Sequence, residues 1–131
     1  MKIFAFRIRP NQDLRIKIDK FVKEKNIKAG IILTCVGNLK RTTLRMAGGK
    51  IIKNYEGSFE IVSLVGTLES GNSHLHISLS DDKGKVFGGH LKEGSIVGVT
   101  AEVVIGEIEN KSFSRKFDKQ TSYDELVIKE L

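Results

Sequence analysis

The pattern of apolar and polar positions divides the chain into one amphipathic helix followed by many strands. Pro10 ends a first strand, and Asn11 or Asp13 can cap a helix that runs to about residue 25. The spacing of four apolar residues predicts one buried face on this helix: Leu14, Ile18, Phe21 and Val22. The lysines between them indicate a helix that lies on the surface.

Strand signals recur about every ten residues after the helix, with glycines between them. Runs rich in β-branched residues predict strands over residues 3–8, 31–36, 42–47, 50–55, 59–68, 74–80, 85–91, 95–109 and 124–128. We therefore expect an α+β fold, mostly antiparallel β-sheet with one or two packed helices, in a single domain over residues 1–131.

Composition is typical of a globular protein, with 40% hydrophobic and 29% charged residues. No apolar run approaches the ~20 residues that span a bilayer, and the N-terminal residues do not form a signal peptide. The one cysteine, Cys35, cannot form an internal disulfide. It lies in an apolar run, so we expect it to be an unreactive residue of the core. These features predict a cytoplasmic protein without a membrane partner.

The net charge of +6 is unevenly distributed along the chain. Residues 1–56 contain 14 basic and 4 acidic residues, whereas residues 57–131 contain 8 and 12. One interpretation is a basic face for nucleic acid. The other is a solvated helix together with a self-complementary surface in an oligomer, and the sequence leaves both open.

All three histidines, His74, His76 and His90, lie in one predicted β-hairpin. Residues i and i+2 of a strand share a face, so His74 and His76 project together and can chelate one Zn²⁺. A plain four-residue turn would place His90 on the other face, opposite Leu75. One extra residue in the second strand, at Gly88 or after the turn at Gly84, would place His90 opposite His76.

With that shift, the hairpin predicts a three-histidine zinc site with an open fourth position, the pattern of a catalytic rather than a structural zinc. The alternative is that the histidines only pack and hydrogen-bond within the sheet or at a subunit boundary. No catalytic residue can be named from the sequence.

Two clusters combine basic and aromatic residues in the manner of single-strand binders: Phe4, Phe6, Arg7 and Arg9, and Phe113, Arg115, Lys116 and Phe117. We favour a core role for these rings. Asp118, Tyr123 and Glu125 are expected to lie in surface loops.

Several segments, in this order, resemble the plants-and-prokaryotes-conserved (PPC) domain: Phe4–Arg7, Ala29–Thr34, Val36–Leu39, Thr43–Arg45, Phe59–Leu64, Gly66–Leu68, the histidine hairpin with Gly88–Leu91, Glu102–Gly106, Phe113–Arg115 and Tyr123–Leu126. The resemblance implies an α+β domain that assembles as a homotrimer around sheet edges. It also implies that some relatives hold a metal at histidines matching His74, His76 and His90.

In plants the PPC domain follows an AT-hook in nuclear DNA-binding proteins, but this sequence contains no Arg-Gly-Arg. A partner-binding segment of the plant proteins corresponds here to Gly57, Ser58, Phe59, Glu60, Ile61 and Val62. The resemblance thus favours a DNA-binding homotrimer of the prokaryotic cytosol. The alternative is a zinc-binding protein or a metal-dependent enzyme, and a third is a purely structural role for the histidines.

Overall fold

The computed structural model describes residues 1–131 as eight strands, one helix and their connections. The helix, α1, spans Leu14–Glu24, and its 11 residues are too few to cross a bilayer. The strands are β1 Lys2–Ile8, β2 Gly30–Arg45, β3 Ile52–Leu68, β4 His74–Ser80, β5 Val86–Leu91, β6 Ile96–Glu107, β7 Lys111–Asp118 and β8 Tyr123–Glu130.

Six strands form one antiparallel sheet in the order β1-β6-β2-β3-β4-β5, and β7 pairs only with β8. The sheet curls on itself, because β5 also pairs with the end of β2 through Leu44–Leu91 and Arg45–His90. Strands β2 to β5 therefore close a small barrel, and β6 and β1 continue the sheet from β2. The expected α+β class with a mostly antiparallel sheet is confirmed, with one helix.

Two pairs of predicted strands are joined into the single long strands β2 and β3. We predicted a connection after residue 36, but Gly37 lies within β2. A Cβ added there would stand 2.0 Å from the carbonyl oxygen of Thr100, so glycine lets β6 approach closely. The β2–β6 register shifts directly after it, between Gly37 and Leu39. This glycine marks a bulge, not a turn.

Helix α1 begins where the sequence predicts it. Asp13 is the N-cap, and its Oδ1 accepts a 3.0 Å hydrogen bond from the backbone N–H of Ile16. Its Oδ2 accepts a second bond of 2.7 Å from the N–H of Gly94, which fixes the helix to the loop before β6. The helix buries Leu14, Ile18 and Val22, whereas Phe21 is partly buried and stacks on Phe6.

The barrel interior is filled by alternate residues of β4, since Leu75, Ile77 and Leu79 are buried. His74 and His76 occupy the positions between them and face outward. The histidines are therefore carried on the outer surface of a rigid, well-packed barrel.

A bulge in β3 changes which of its residues face outward. The β3–β4 register shifts between Ile61 and Ser63, and both Val62 and Ser63 are exposed. Val65 also faces outward, with 57% of its surface exposed. The outer face beside the histidines is consequently rich in exposed valine.

The chain after residue 110 departs from the sequence analysis. Only a last strand was predicted there, but β7 and β8 form a hairpin in which Asp118 pairs with Tyr123 and Lys116 with Glu125. The expectation of surface loops at these positions was wrong, because both strands alternate weakly and β7 contains only two large apolar residues. One of these, Phe117, is 59% exposed and does not fill the core.

Candidate metal centre

The β4–β5 hairpin has the register that brings the three histidines together. His76 lies directly opposite His90, and the pairing continues without a shift to Ser80 opposite Val86. The extra residue lies in the turn: Gly84 donates to the carbonyl of Asp81, and the N–H of Asp81 donates to the carbonyl of Lys85. Gly84 has a φ of +80°, which glycine adopts without strain.

The alternative position for the bulge, at Gly88, was wrong, and this glycine has another role. Gly88 pairs with Ser78 inside the regular ladder. A Cβ added to it would stand 2.2 Å from the carbonyl oxygen of Ile77, so no larger residue fits between β4 and β5. Gly88 permits the close strand pairing on which the position of His90 depends.

The three imidazoles converge on the outer face of the barrel. The Nε2 atoms of His74 and His76 are 3.2 Å apart, and one ligand nitrogen from each ring lies within 4.8 Å of the others. Two nitrogens bound to one tetrahedral zinc at about 2.0–2.1 Å stand about 3.3 Å apart. The His74–His76 pair already has that spacing, and the third nitrogen, from His90, lies within 4.8 Å of both.

The electrostatic surroundings keep two of the rings neutral at pH 7. Burial, followed by the charges of Arg45 and Arg15, lowers the pKa of His90 from 6.5 to about 4. Burial, followed by His76 and Arg115, also lowers the pKa of His74. Neutral imidazole is the form that binds a metal, so protons compete only weakly for these two ligands.

One ring nitrogen lacks a partner in the folded chain. Nδ1 of His90 is buried and makes no hydrogen bond. A buried polar atom without a partner costs free energy, and a bound ion or an ordered water would remove that cost. The donor set of three imidazoles is one that zinc and similar transition metals prefer, so the residues fit such an ion.

Sequence reasoning missed the arginines that surround the cluster. Arg15 of α1 donates from Nη1 to the carbonyl of Leu91 at 2.7 Å and from Nη2 to the carbonyl of Ser73. Arg115 of β7 donates to Glu69 at 2.9 Å and to the hydroxyl of Thr67 at 3.1 Å. Only contacts between residues far apart in sequence reveal these roles.

Two cavities flank the histidines. One, of about 450 Å³, lies between the loop after β2 and the β4–β5 surface and is bordered by His76 and His90. The other, of about 490 Å³, opens toward the C-terminal hairpin and is bordered by His74 and His90. Arg45 borders both, so a ligand in either cavity could reach the imidazole cluster.

The remaining predicted positions are spread over β2 and β3. Within the segment Gly57–Val62, Phe59 and Ile61 are buried, whereas Gly57, Ser58, Glu60 and Val62 are exposed. Cys35 is buried, and burial followed by the charge of Glu102 raises the pKa of its thiol to about 12. That thiol is protonated and unreactive at neutral pH, as expected of core.

Residues 1–109 match the Plants and Prokaryotes Conserved domain, abbreviated PCC or PPC. The chain belongs to this family. The resemblance based on sequence segments is thereby confirmed.

Two curated PPC relatives are much longer than this chain. The bifunctional protein GlmU of Synechococcus sp. (strain JA-3-3Ab) is 34% identical over 131 residues, which cover 100% of this chain and 21% of that protein. The AT-hook motif nuclear-localized protein 4 of Arabidopsis thaliana is 33% identical over 110 residues, covering 76% and 26%. The chain thus spans about a fifth to a quarter of the length of these relatives.

Several solved structures resemble the chain over nearly its full length. A hypothetical protein from Salmonella enterica is 38% identical with a TM-score of 0.96, covering 98% of this chain and 94% of that one. A metal-containing protein from Archaeoglobus fulgidus is 27% identical with a TM-score of 0.85, covering 97% and 94%. A candidate DNA-binding protein from Bacteroides thetaiotaomicron, 24% identical with a TM-score of 0.86 over 95% and 91%, shares the fold.

Proposed function

We propose that this PPC protein binds a divalent transition metal, zinc in the first instance, through His74, His76 and His90. The observation that carries the proposal is the convergence of all three histidines of the chain, with ligand nitrogens within 4.8 Å of one another. The name of the metal-containing relative from Archaeoglobus fulgidus supports it. Bound zinc would supply an open coordination position that polarises an oxygen ligand or acidifies a water.

The chain's own residues would hold the ion and exclude competing protons. His74 and His90 offer neutral nitrogens at pH 7, and the barrel fixes the backbone that carries them. No carboxylate belongs to the cluster, so the charge of the ion would not be neutralised by the protein. This favours a site that receives an anionic ligand, and with it a metal-dependent enzyme over a structural metal.

Metal uptake tests the proposal directly. Protein purified without a histidine tag is stripped with a chelator, equilibrated with ZnCl₂ and analysed for bound zinc by mass spectrometry and calorimetry. We expect one zinc per chain in the wild type and none in His76→Ala. Ser78→Ala, two residues along the same face, is the matched control and should keep its zinc. A wild type that takes up no zinc, or a His76→Ala variant that keeps it, would overturn the proposal.

The second candidate function is DNA binding, which the net charge of +6 and the names of relatives favour. Helix α1 exposes Lys20 and Lys23, and Lys25 follows at its end. Contacts from such lysines to phosphates would release counterions, so affinity should fall steeply as salt rises. A gel-shift titration with duplex DNA at low and at physiological salt tests this, and the absence of a complex at low salt would refute it.

We further propose that the domain assembles as a homotrimer. Val62, Val65 and Val86 are each more than half exposed on the face that carries the histidines, and covering such a surface stabilises an oligomer. Glu60 and Val62 are the positions through which the segment Gly57–Val62 would contact a partner. Light scattering should give three times the chain mass of 14.6 kDa, and Val65→Asp should lower it; a monomeric wild type would exclude the trimer.

A further inference from the structure

Arg45 lies beside the histidine cluster, and its guanidinium has no partner within the chain. It lies directly opposite His90 in the β2–β5 pairing, which places both side chains on the outer face as close neighbours. The side chain is half-buried, yet its guanidinium makes no hydrogen bond or ion pair within the chain. Arg15 and Arg115, by contrast, are held by backbone or carboxylate partners. None of its nitrogens is both buried and unpartnered, so the guanidinium reaches solvent and is free to bind an anion that enters beside it.

The 450 Å³ cavity gives that anion a place. Arg45 is the only permanently charged residue on its wall, and no carboxylate borders it. A Cβ added to Gly49 would lie 4.0 Å from Nε of Arg45, so the loop after β2 lies next to the guanidinium. Met46 and Val65 add apolar surface, and His76 and His90 form the wall nearest the proposed metal. One positive charge and no carboxylate on a partly apolar wall favour an anion of single charge that also carries apolar surface.

We propose that this cavity binds a small carboxylate-bearing molecule, with the carboxylate on Arg45 and an adjacent oxygen facing the histidine cluster. The planar fork of a guanidinium matches a carboxylate with two parallel hydrogen bonds. In the metal-free protein, a phosphate dianion would bring one more negative charge than the cavity wall supplies. Contact between the adjacent oxygen and a metal rests on the proposed zinc site, whereas binding of the carboxylate to Arg45 does not.

The second cavity does not offer the same selectivity. It is bordered by more charges of both signs: Arg15, Arg45, Lys92 and Arg115 against Asp124 and Glu125. Because Arg15 and Arg115 already have partners, their contribution is to raise the potential around the imidazoles rather than to bind a ligand. Arg45 and Lys92 have no such partners, but Asp124 and Glu125 border the same cavity and oppose the binding of an anion there.

The test is an NMR titration with propionate, lactate and inorganic phosphate, on metal-free and on zinc-loaded protein. Four glycines border the cavity, and their amide signals report occupancy: Gly48, Gly49, Gly88 and Gly89. We expect propionate and lactate to shift these signals, while Gly71 and Gly84, in open loops, stay unchanged. Lactate should bind more tightly than propionate only in the zinc-loaded protein, because only lactate has an oxygen next to its carboxylate.

Arg45→Met should weaken binding of both carboxylates at least about tenfold, the loss expected when a charge-assisted pair is removed. Arg41→Met is the matched control: it removes the same charge from an exposed position four residues earlier on β2 and should bind as the wild type does. Arg45→Lys keeps the charge but not the planar guanidinium, so its affinity for carboxylates should lie between those of Arg45→Met and Arg41→Met. Equal affinity in Arg45→Met and wild type would overturn the proposal, as would preferential binding of phosphate by the metal-free protein.

The proposed zinc site and the proposed carboxylate site can be refuted separately. If no zinc is taken up, propionate should still shift the four glycine signals in an Arg45-dependent manner. If zinc binds stoichiometrically but neither carboxylate shifts them, the metal site stands and the carboxylate site is refuted.

Discussion

Arg15 donates a 2.7 Å hydrogen bond from Nη1 to the carbonyl oxygen of Leu91, the residue that follows His90. Its Nη2 donates to the carbonyl of Ser73, the residue that precedes His74. A 3.2 Å ion pair with Asp19, one helical turn along, orients the guanidinium. One side chain of the helix thus connects the strand ends that carry two of the three histidines.

We expect Arg15→Met to weaken zinc binding, because both strand ends lose the contact that positions their imidazoles. Outer partners of this kind are typically worth about 10- to 100-fold in metal affinity. Competition with a zinc-binding dye measures the change, and Arg15→Lys should restore only part of it. Lys20→Met on the exposed face of the same helix is the control and should leave affinity unchanged. If Arg15→Met bound zinc as tightly as Lys20→Met, Arg15 would have no positioning role.

Gly88→Ala should remove metal binding without altering any ligand. The added Cβ would lie 2.2 Å from the carbonyl oxygen of Ile77, so β4 and β5 must separate where His76 and His90 face each other. We expect a loss of about 1–3 kcal/mol in the free energy of unfolding, together with loss of zinc uptake. Gly71→Ala, at a positive φ in open space, should cost stability but keep its zinc. Zinc uptake by Gly88→Ala at wild-type affinity would contradict this account.

The sequence predicts the histidine hairpin well because its determinants are local. Strand alternation places His74 and His76 on one face, and a glycine after Asp81-Asp82-Lys83 predicts a turn at which the register can shift by one. The choice between Gly84 and Gly88 was open because either glycine could absorb the extra residue. Only the strand pairing shows that the turn does so.

The other elements of the site depend on contacts that no local pattern encodes. Arg15 and Leu91 are 76 residues apart, and Arg115 meets Glu69 across 46. In the sequence, Arg45 cannot be distinguished from other strand residues. Only the pairing of β5 with β2 places His90 opposite it. For the same reason β2 was predicted as two strands. The glycine at its centre indicates a turn locally, whereas in the fold it is needed because a side chain there would collide with β6.

Loss of one partner of the Glu69–Arg115 ion pair should destabilise the fold strongly. Their side chains are 9% and 12% exposed and 2.9 Å apart, and the pair ties β7 to the end of β3. Glu69→Ala would leave the guanidinium largely buried without its carboxylate, which costs about 3–5 kcal/mol. Urea unfolding measures the change. Glu130→Ala removes a carboxylate from an exposed pair with Lys111 in the same hairpin and should cost about 1 kcal/mol or less. Equal effects of the two substitutions would show that burial of the pair is unimportant.

The turn that sets the register should show a characteristic dependence on acid. The N–H groups of Lys85 and Lys83 both donate to Oδ1 of Asp81 at 2.9 Å and lower the pKa of its carboxyl below 3.8. A carboxylate with a depressed pKa contributes stability above its unfolded pKa, and that stability is lost as the pH falls through the folded pKa. Asp81→Asn should therefore melt at a lower temperature than the wild type at about pH 7, and the difference should shrink as the pH falls below about 3.9. Asp82→Asn makes the same charge change one residue along, at a carboxylate that accepts no hydrogen bond from the turn, and is the control. If the difference in melting temperature between Asp81→Asn and the wild type were the same at neutral and acid pH, the charge of Asp81 would not stabilise the turn.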